Sequence, residues 1–143
     1  MVAAAEDGHG IAQAMRLALQ RADLKPEAVN YINAHGTSTP LNDRVETRAI
    51  HEVFGEAADD VMISSTKSMH AHMMGAAGAV EAAICVLTCH HGIVPPTINY
   101  EHPDPDCDLD YVPNEAVPFS GDYTMCNTFG FGGQNAVLLF RRA

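Results

Sequence analysis

Ile11, Ala14, Met15, Ala18 and Ala22 recur every three or four residues, the period of a helix that buries one face, and predict an amphipathic helix over residues 10–22. Residues 29–34 form a short strand-like run that ends in the polar string His35-Gly36-Thr37-Ser38-Thr39-Pro40. Val45, Ala49, Ile50 and Val53 supply the stripe of a second helix that Gly55 ends. Asp43 followed by Glu46 has the spacing of a capping box at its start. Residues 61–64 predict a second strand. Residues 75–90 are apolar nearly all round, the pattern of a helix buried on every side.

The texture changes after Gly92. Prolines at 95, 96, 103, 105 and 113, with acidic residues between 101 and 110, predict a loop with little regular structure. Residues 123–127 and 136–141 then predict two strands around Phe129-Gly130-Phe131-Gly132-Gly133-Gln134. Helices alternating with strands, followed by a closing strand pair, predict a layered α/β domain with a mixed sheet. The first helix has no strand before it to start that sheet, and the chemically unusual residues all follow strands. The expectation is therefore a piece of a larger unit.

Composition narrows the function. A net charge of −10, with eight Lys and Arg spread along the chain, argues against nucleic acid as a partner. The most apolar stretch is too short and too interrupted to span a bilayer, and the first residues lack the basic flank and apolar core of a signal peptide. The four cysteines, at 85, 89, 107 and 126, do not resemble a secreted disulfide framework; a reducing cytoplasm is expected. Cys85 and Cys89 are separated by three residues within a helix, which is not a usual structural zinc spacing, so no metal is expected.

Three strand ends carry the candidate chemistry. They are Asn33 to Thr39, Ser65 to His72 running into Gly75-Ala76-Ala77-Gly78, and Asn127 to Gly133. Taken singly, His35, His72 and Lys67 are ordinary: a packed or capping histidine, and a solvated charge. Taken together they are not, because Lys67 and His72 directly precede a helix of Ala, Gly and other apolar residues, where stray charge is expensive. Glu81 is the one charged residue in that helix, and a buried carboxylate needs a partner. Lys67 is the natural one; an exposed rim of the helix is the alternative.

The strings NAHGTSTPLND, SSTKSMHAHMMGAAGAVEA, VPPTINYEHPDPDCDLDYVPNEA and CNTFGFGGQNAVLLF closely resemble the C-terminal region of β-ketoacyl-acyl-carrier-protein synthases, above all the elongating type II (KAS II) group. The resemblance runs from about Gly8 to Arg141, with four motifs in order. It implies the thiolase-like fold, an αβαβα layered sandwich of two similar halves, with residues 1–143 forming most of the C-terminal half. It also implies that the nucleophilic cysteine lies in an N-terminal half this sequence does not include. By resemblance His35 and His72 are the catalytic histidines, Lys67 the catalytic lysine and Glu81 its supporting acid. Thr37 and Thr39 match threonines that bind the pantetheine arm; Phe129 and Phe131 match a gating turn, with the Phe131 backbone N–H in an oxyanion hole. The implied reaction is decarboxylative condensation of an acyl thioester with malonyl-acyl-carrier protein. No cofactor is implied, since substrates ride on the phosphopantetheine of the carrier protein. The implied partners are acyl carrier protein, the missing half or a complementary chain, and a second copy of the full enzyme in a homodimer.

Such chemistry calls for these residue types. Two neutral imidazoles donating to one thioester oxygen would stabilise an enolate, each with its tautomer fixed through Nδ1. Ala71 departs from the family's common glycine before the second histidine, where a methyl could tighten the turn. Gln134 stands where threonine or histidine is frequent. Two rival readings are a non-catalytic partner subunit of the chain-length-factor kind, against which the joint retention of His35, Lys67 and His72 speaks, and a fragment inactive by itself. Thiolases use a cysteine base near the C-terminal end, and none is suitably placed here. The initiating KAS III group pairs histidine with asparagine.

Overall fold

Residues that alternate along a covered strand are buried on both faces, as Val29, Tyr31, Ile32 and Asn33 are in β1 (Val29–Asn33) and Ile63 and Ser64 are in β2 (Met62–Ser64). The computed structural model describes residues 8–143, apart from the side chain of Phe131. In it β1 and β2 lie parallel with Asn33 level with Ser64. β5 (Tyr123–Gly130) flanks β1 on its other side, also parallel, and sets Cys126 level with Asn33. β6 (Gln134–Arg141) returns antiparallel along β5, giving the order β2-β1-β5-β6 and the expected mixed sheet.

α1 (His9–Arg21) and α2 (Asn42–Phe54) cover one face of that sheet. Ile11, Met15 and Leu19 of α1 and Val45, Ile50 and Phe54 of α2 share a core with Ile32, Ile63 and Met125. Strand alternation turns Tyr31 and Cys126 to the opposite face, where Cys85 and Cys89 of α4 (Ala77–His91) meet them. The result is helix, sheet, helix.

The structure departs from the pattern in three places. α4 is not buried all round: Ala79, Ala83, Val86 and Leu87 face outward, with Val86 48% and Leu87 50% exposed. A hydropathy pattern records what polarity a helix tolerates, and the sheet accounts for only one side of α4. The proline-rich segment is not wholly irregular either, because β3 (Ile93–Val94) pairs antiparallel with β4 (Val117–Pro118). Two-residue strands carry no period, so local patterning could not reveal them. Finally, the capping box does not form: Leu41 is the N-cap of α2, and no side chain caps it. Asp43 instead accepts the Ser38 amide at 3.1 Å, and Glu46 turns inward. No helix among the described residues is long and apolar enough to cross a membrane.

Candidate active site

Because β1, β2 and β5 run parallel in near-level register, their carboxyl ends open onto one region. That edge is where ligands bind in open α/β sheets. His35 follows β1, Lys67 and His72 follow β2, and Phe129 lies near the end of β5.

Glu46 builds the first loop. Its carboxylate, 3% exposed, accepts the backbone amides of His35 at 3.0 Å and Gly36 at 2.9 Å, and the Asn127 side-chain amide at 3.2 Å. Burial pushes the Glu46 carboxyl above its ordinary range, while these donors pull it back. Glu46 thus ties the β1 loop to both α2 and β5. Gly36, at φ 38°, is needed there, since a Cβ would stand 2.5 Å from Ser65 Cβ, and the Ser65 hydroxyl donates to Gly36 O at 2.6 Å. Sequence reasoning missed Glu46 as a site-builder, and it placed Asn127 on the third strand end without giving it a role. The signal was present: Glu46 falls within the apolar stripe of α2, so its carboxylate had to find donors inside.

The His35 ring is 6% exposed and its centroid lies 5.4 Å from that of Phe129. Burial, then the positive charge of Lys67, then His72, depress its pKa to about 3, so the imidazole is neutral across the physiological range. Among the described residues no group bonds its Nδ1, so packing and the pinned backbone orient this ring. In that respect it differs from the expectation of a tautomer held through Nδ1.

α3 (Lys67–His70) carries the lysine. Lys67 Nζ and Glu81 Oε1 form an ion pair with both side chains buried, crossing from α3 to α4. Removing either partner would strand a charge in the interior. After α3 the chain passes through Ala71 at φ 63°, ψ 179°, a region essentially reserved for glycine that costs an alanine about 1–3 kcal/mol. This turn presents His72 so that its ring meets that of His35 edge to face, centroids 5.7 Å apart. The Met74 amide donates to His72 Nδ1 at 3.1 Å, which leaves the ring proton of the neutral form on Nε2. His72 is exposed, so one imidazole of the pair is sunk and the other open.

Thr37 and Thr39, with hydroxyl oxygens 3.1 Å apart, line a cavity of about 740 Å³ shared by Lys67, His72, Ser68 and Tyr111. Phe131 begins the turn Phe131–Gly133, and its side chain, to which the gating expectation refers, lies outside the described residues. Thr37, Thr39, Lys67 and His72 line that cavity, while His35 meets it through the His72 ring, Phe129 packs on His35, and Glu81 holds Lys67 from the interior. Cys85, Cys89 and Cys126 are buried between α4 and β5, and contact with Cys126 together with burial pushes the Cys85 thiol far up. Cys107 lines the cavity half-buried, its thiol also pushed up, mainly by burial.

A family model described as the C-terminal domain of β-ketoacyl synthases matches residues 1–101. The chain belongs to that family. A 3-oxoacyl-acyl-carrier-protein synthase 2 from Synechocystis is 51% identical over 136 residues, covering 95% of this chain and 33% of the relative. Among solved structures, a ketosynthase in complex with its type II polyketide acyl-carrier protein matches with a TM-score of 0.94 at 41% identity, over 100% of this chain and 35% of that one. A ketosynthase/chain length factor matches with a TM-score of 0.93 at 43% identity, over 98% and 34% of the two chains. The chain thus spans about a third of the length of the proteins it matches. It has the α/β architecture of the ketosynthase and thiolase-like superfamily, as its resemblance implied.

Proposed function

We propose that residues 1–143 are the C-terminal part of a 3-oxoacyl-acyl-carrier-protein synthase and supply the His–His–Lys portion of its site. The observation that carries this reading is the approach of the His35 and His72 rings, 5.7 Å apart, beside the buried Lys67–Glu81 pair. The reaction is a decarboxylative Claisen condensation in fatty acid or polyketide elongation. The bond between the malonyl α-carbon and its carboxylate breaks, carbon dioxide leaves, and the electron pair moves onto the thioester oxygen as an enolate. The Nε2–H of His72 and the neutral ring of His35 donate to that oxygen, a preorganised stabilisation worth about 3–4 kcal/mol per donor. The enolate carbon then attacks an acyl thioester, and a cysteine thiolate from the remainder of the enzyme leaves. Lys67, fixed by Glu81, adds positive charge beside the site; Thr37 and Thr39 hold the pantetheine arm; Phe129 and Phe131 gate the acyl end. Acyl carrier protein, the cysteine-bearing remainder and a second copy of the full enzyme are the partners in this reading.

The test is a chimera in which this chain replaces the matching segment of the Synechocystis synthase, assayed with acyl- and malonyl-acyl-carrier protein. The chimera condenses, and His35→Ala and His72→Ala each lower kcat roughly 100-fold or more. An unimpaired double variant overturns the assignment. The chain by itself forms no acyl-enzyme; stoichiometric acylation of one of its cysteines would contradict that. A second reading, a non-catalytic subunit of the chain-length-factor kind, draws support from the ketosynthase/chain length factor likeness. It predicts a folded but inactive chimera.

A further inference from the structure

Ala71 occupies a backbone conformation that an alanine does not hold unaided, at φ 63° and ψ 179°, immediately before His72. Its surroundings must over-determine it. The Ala71 amide donates to Lys67 O at 2.8 Å, which closes α3 but leaves ψ of Ala71 free. The other end of that residue is caught by His70. Its Nδ1 lies 2.8 Å from Ala71 O, and a carbonyl only accepts, so Nδ1 carries the proton and donates. In the neutral ring Nε2 is then an acceptor, and the Thr66 hydroxyl stands 3.1 Å from it, closer than the Asn33 Oδ1 at 3.4 Å that competes for the same proton. Thr66 is fully buried and itself receives the Asn33 side-chain amide at 3.1 Å. Asn33 is the last residue of β1 and is fully buried too.

A single-direction chain of donors results: Asn33 to Thr66, Thr66 to His70, and His70 to the carbonyl of Ala71. Bonds aligned in this way reinforce one another. Its origin is the rigid carboxyl end of the sheet, and its terminus is the peptide that launches His72.

We propose that His70 is a positioning residue: it carries the fixed geometry of Asn33 and Thr66 to the Ala71 carbonyl and so holds the strained turn that aims His72 at His35. His70 does not face the reacting atoms; its work is done through the peptide. The function of the turn it serves rests on the condensing-enzyme reading, but the clamp itself does not. A glycine in place of Ala71 would adopt the turn without help, so His70 and Ala71 form a matched pair: the histidine is required because the alanine is there.

The experiment is a cycle of H70A, A71G and the double variant in the 143-residue chain, uniformly ¹⁵N-labelled. Ring nitrogen shifts report the His72 tautomer, and amide exchange reports the Met74 N–H to Nδ1 bond. With Ala71 present, H70A is expected to average the His72 tautomers and speed Met74 exchange roughly tenfold, the protection of one local hydrogen bond. In the A71G background, the same change at residue 70 has little effect. Unchanged His72 shifts in H70A, or an equal response in both backgrounds, overturns the proposal and leaves His70 a surface packing residue. Should H70A not fold, Thr66→Val removes the donor to Nε2 at similar volume and is expected to give the same His72 signature; a silent T66V overturns the relay. In the chimera, H70A lowers kcat with little change in KM, and A71G restores it. A clamp seen by NMR in an inactive chimera counts against the condensing reading alone; an active chimera indifferent to H70A counts against the positioning role alone.

Discussion

On one face of the sheet, α2 turns Arg44, Arg48 and Glu52 toward water and buries Val45, Ala49 and Ile50. On the other, α4 likewise buries one carboxylate, Glu81 where α2 buries Glu46, but its outer side is apolar, with Val86 and Leu87 exposed. α2 is thus built for an aqueous boundary. α4 is tolerable in water only as far as its scattered alkyl groups allow, and its inward charge survives because Lys67 meets it. An apolar outer side is what a helix shows where another protein surface covers it, which agrees with the proposal that a larger enzyme completes this one. Lys67 is thus anchored on the element whose other side is apolar and exposed.

That contrast can be broken most forcefully at the ion pair. Glu81→Ala or Lys67→Ala is expected to destabilise the chain by about 3–5 kcal/mol, because each leaves a buried charge unpaired. The apolar double replacement K67M/E81L costs less than either, and chemical denaturation of the four proteins checks this. If the single variants were harmless, the interior of α4 would be wetter than the structure shows. Next come matched truncations on the two helices. Ile50→Ala in α2 is expected to cost about 2–5 kcal/mol, whereas Leu87→Ala in α4 stays within about 0.5 kcal/mol in the isolated chain. In the chimera, L87A becomes appreciably destabilising; if it remains neutral there, the outer face of α4 has no protein neighbour.

Between those two magnitudes lies the effect of pH. The folded pKa of His35 is about 3 against an ordinary 6.5, so the unfolded chain takes up a proton that the folded chain refuses between those values. The contribution of neutral His35 is fully present above the unfolded value and is lost progressively as pH falls toward the folded one. From about pH 7 to about pH 5 this amounts to about 2 kcal/mol. Thermal unfolding at those pH values should show the loss, and His35→Asn should flatten it. An unchanged slope in the variant would place the titrating group elsewhere.

Much of the architecture was visible in the order of residues. The apolar stripes of α1 and α2, the runs of β1 and β2, and the strands either side of the glycine-rich turn all appear with their ends shifted by a few residues. Burial on one side of a regular element imposes a period, and a period is local information. Where the expectation failed, the deciding contact was remote. The spacing of Asp43 and Glu46 suited a cap, but Glu46 found better donors in the His35 and Gly36 amides and in Asn127. β3 and β4 are too short to carry any pattern and exist only because the chain returns.

The candidate site divides in the same way. Residue identities determined which side chains could do the chemistry: two histidines, a lysine and a lone acid in an apolar helix, set after strands. They also determined the pairing of Lys67 with Glu81 closely enough to anticipate it, since an isolated buried carboxylate has few remedies. Tertiary structure alone decided that His35 is sunk and neutral while His72 is open with its proton on Nε2, because desolvation and hydrogen-bond direction belong to the assembled surroundings. It alone decided, too, that Ala71 sits where a glycine would rest, for backbone strain arises from the fold's demand on a residue and is not written in the residue itself.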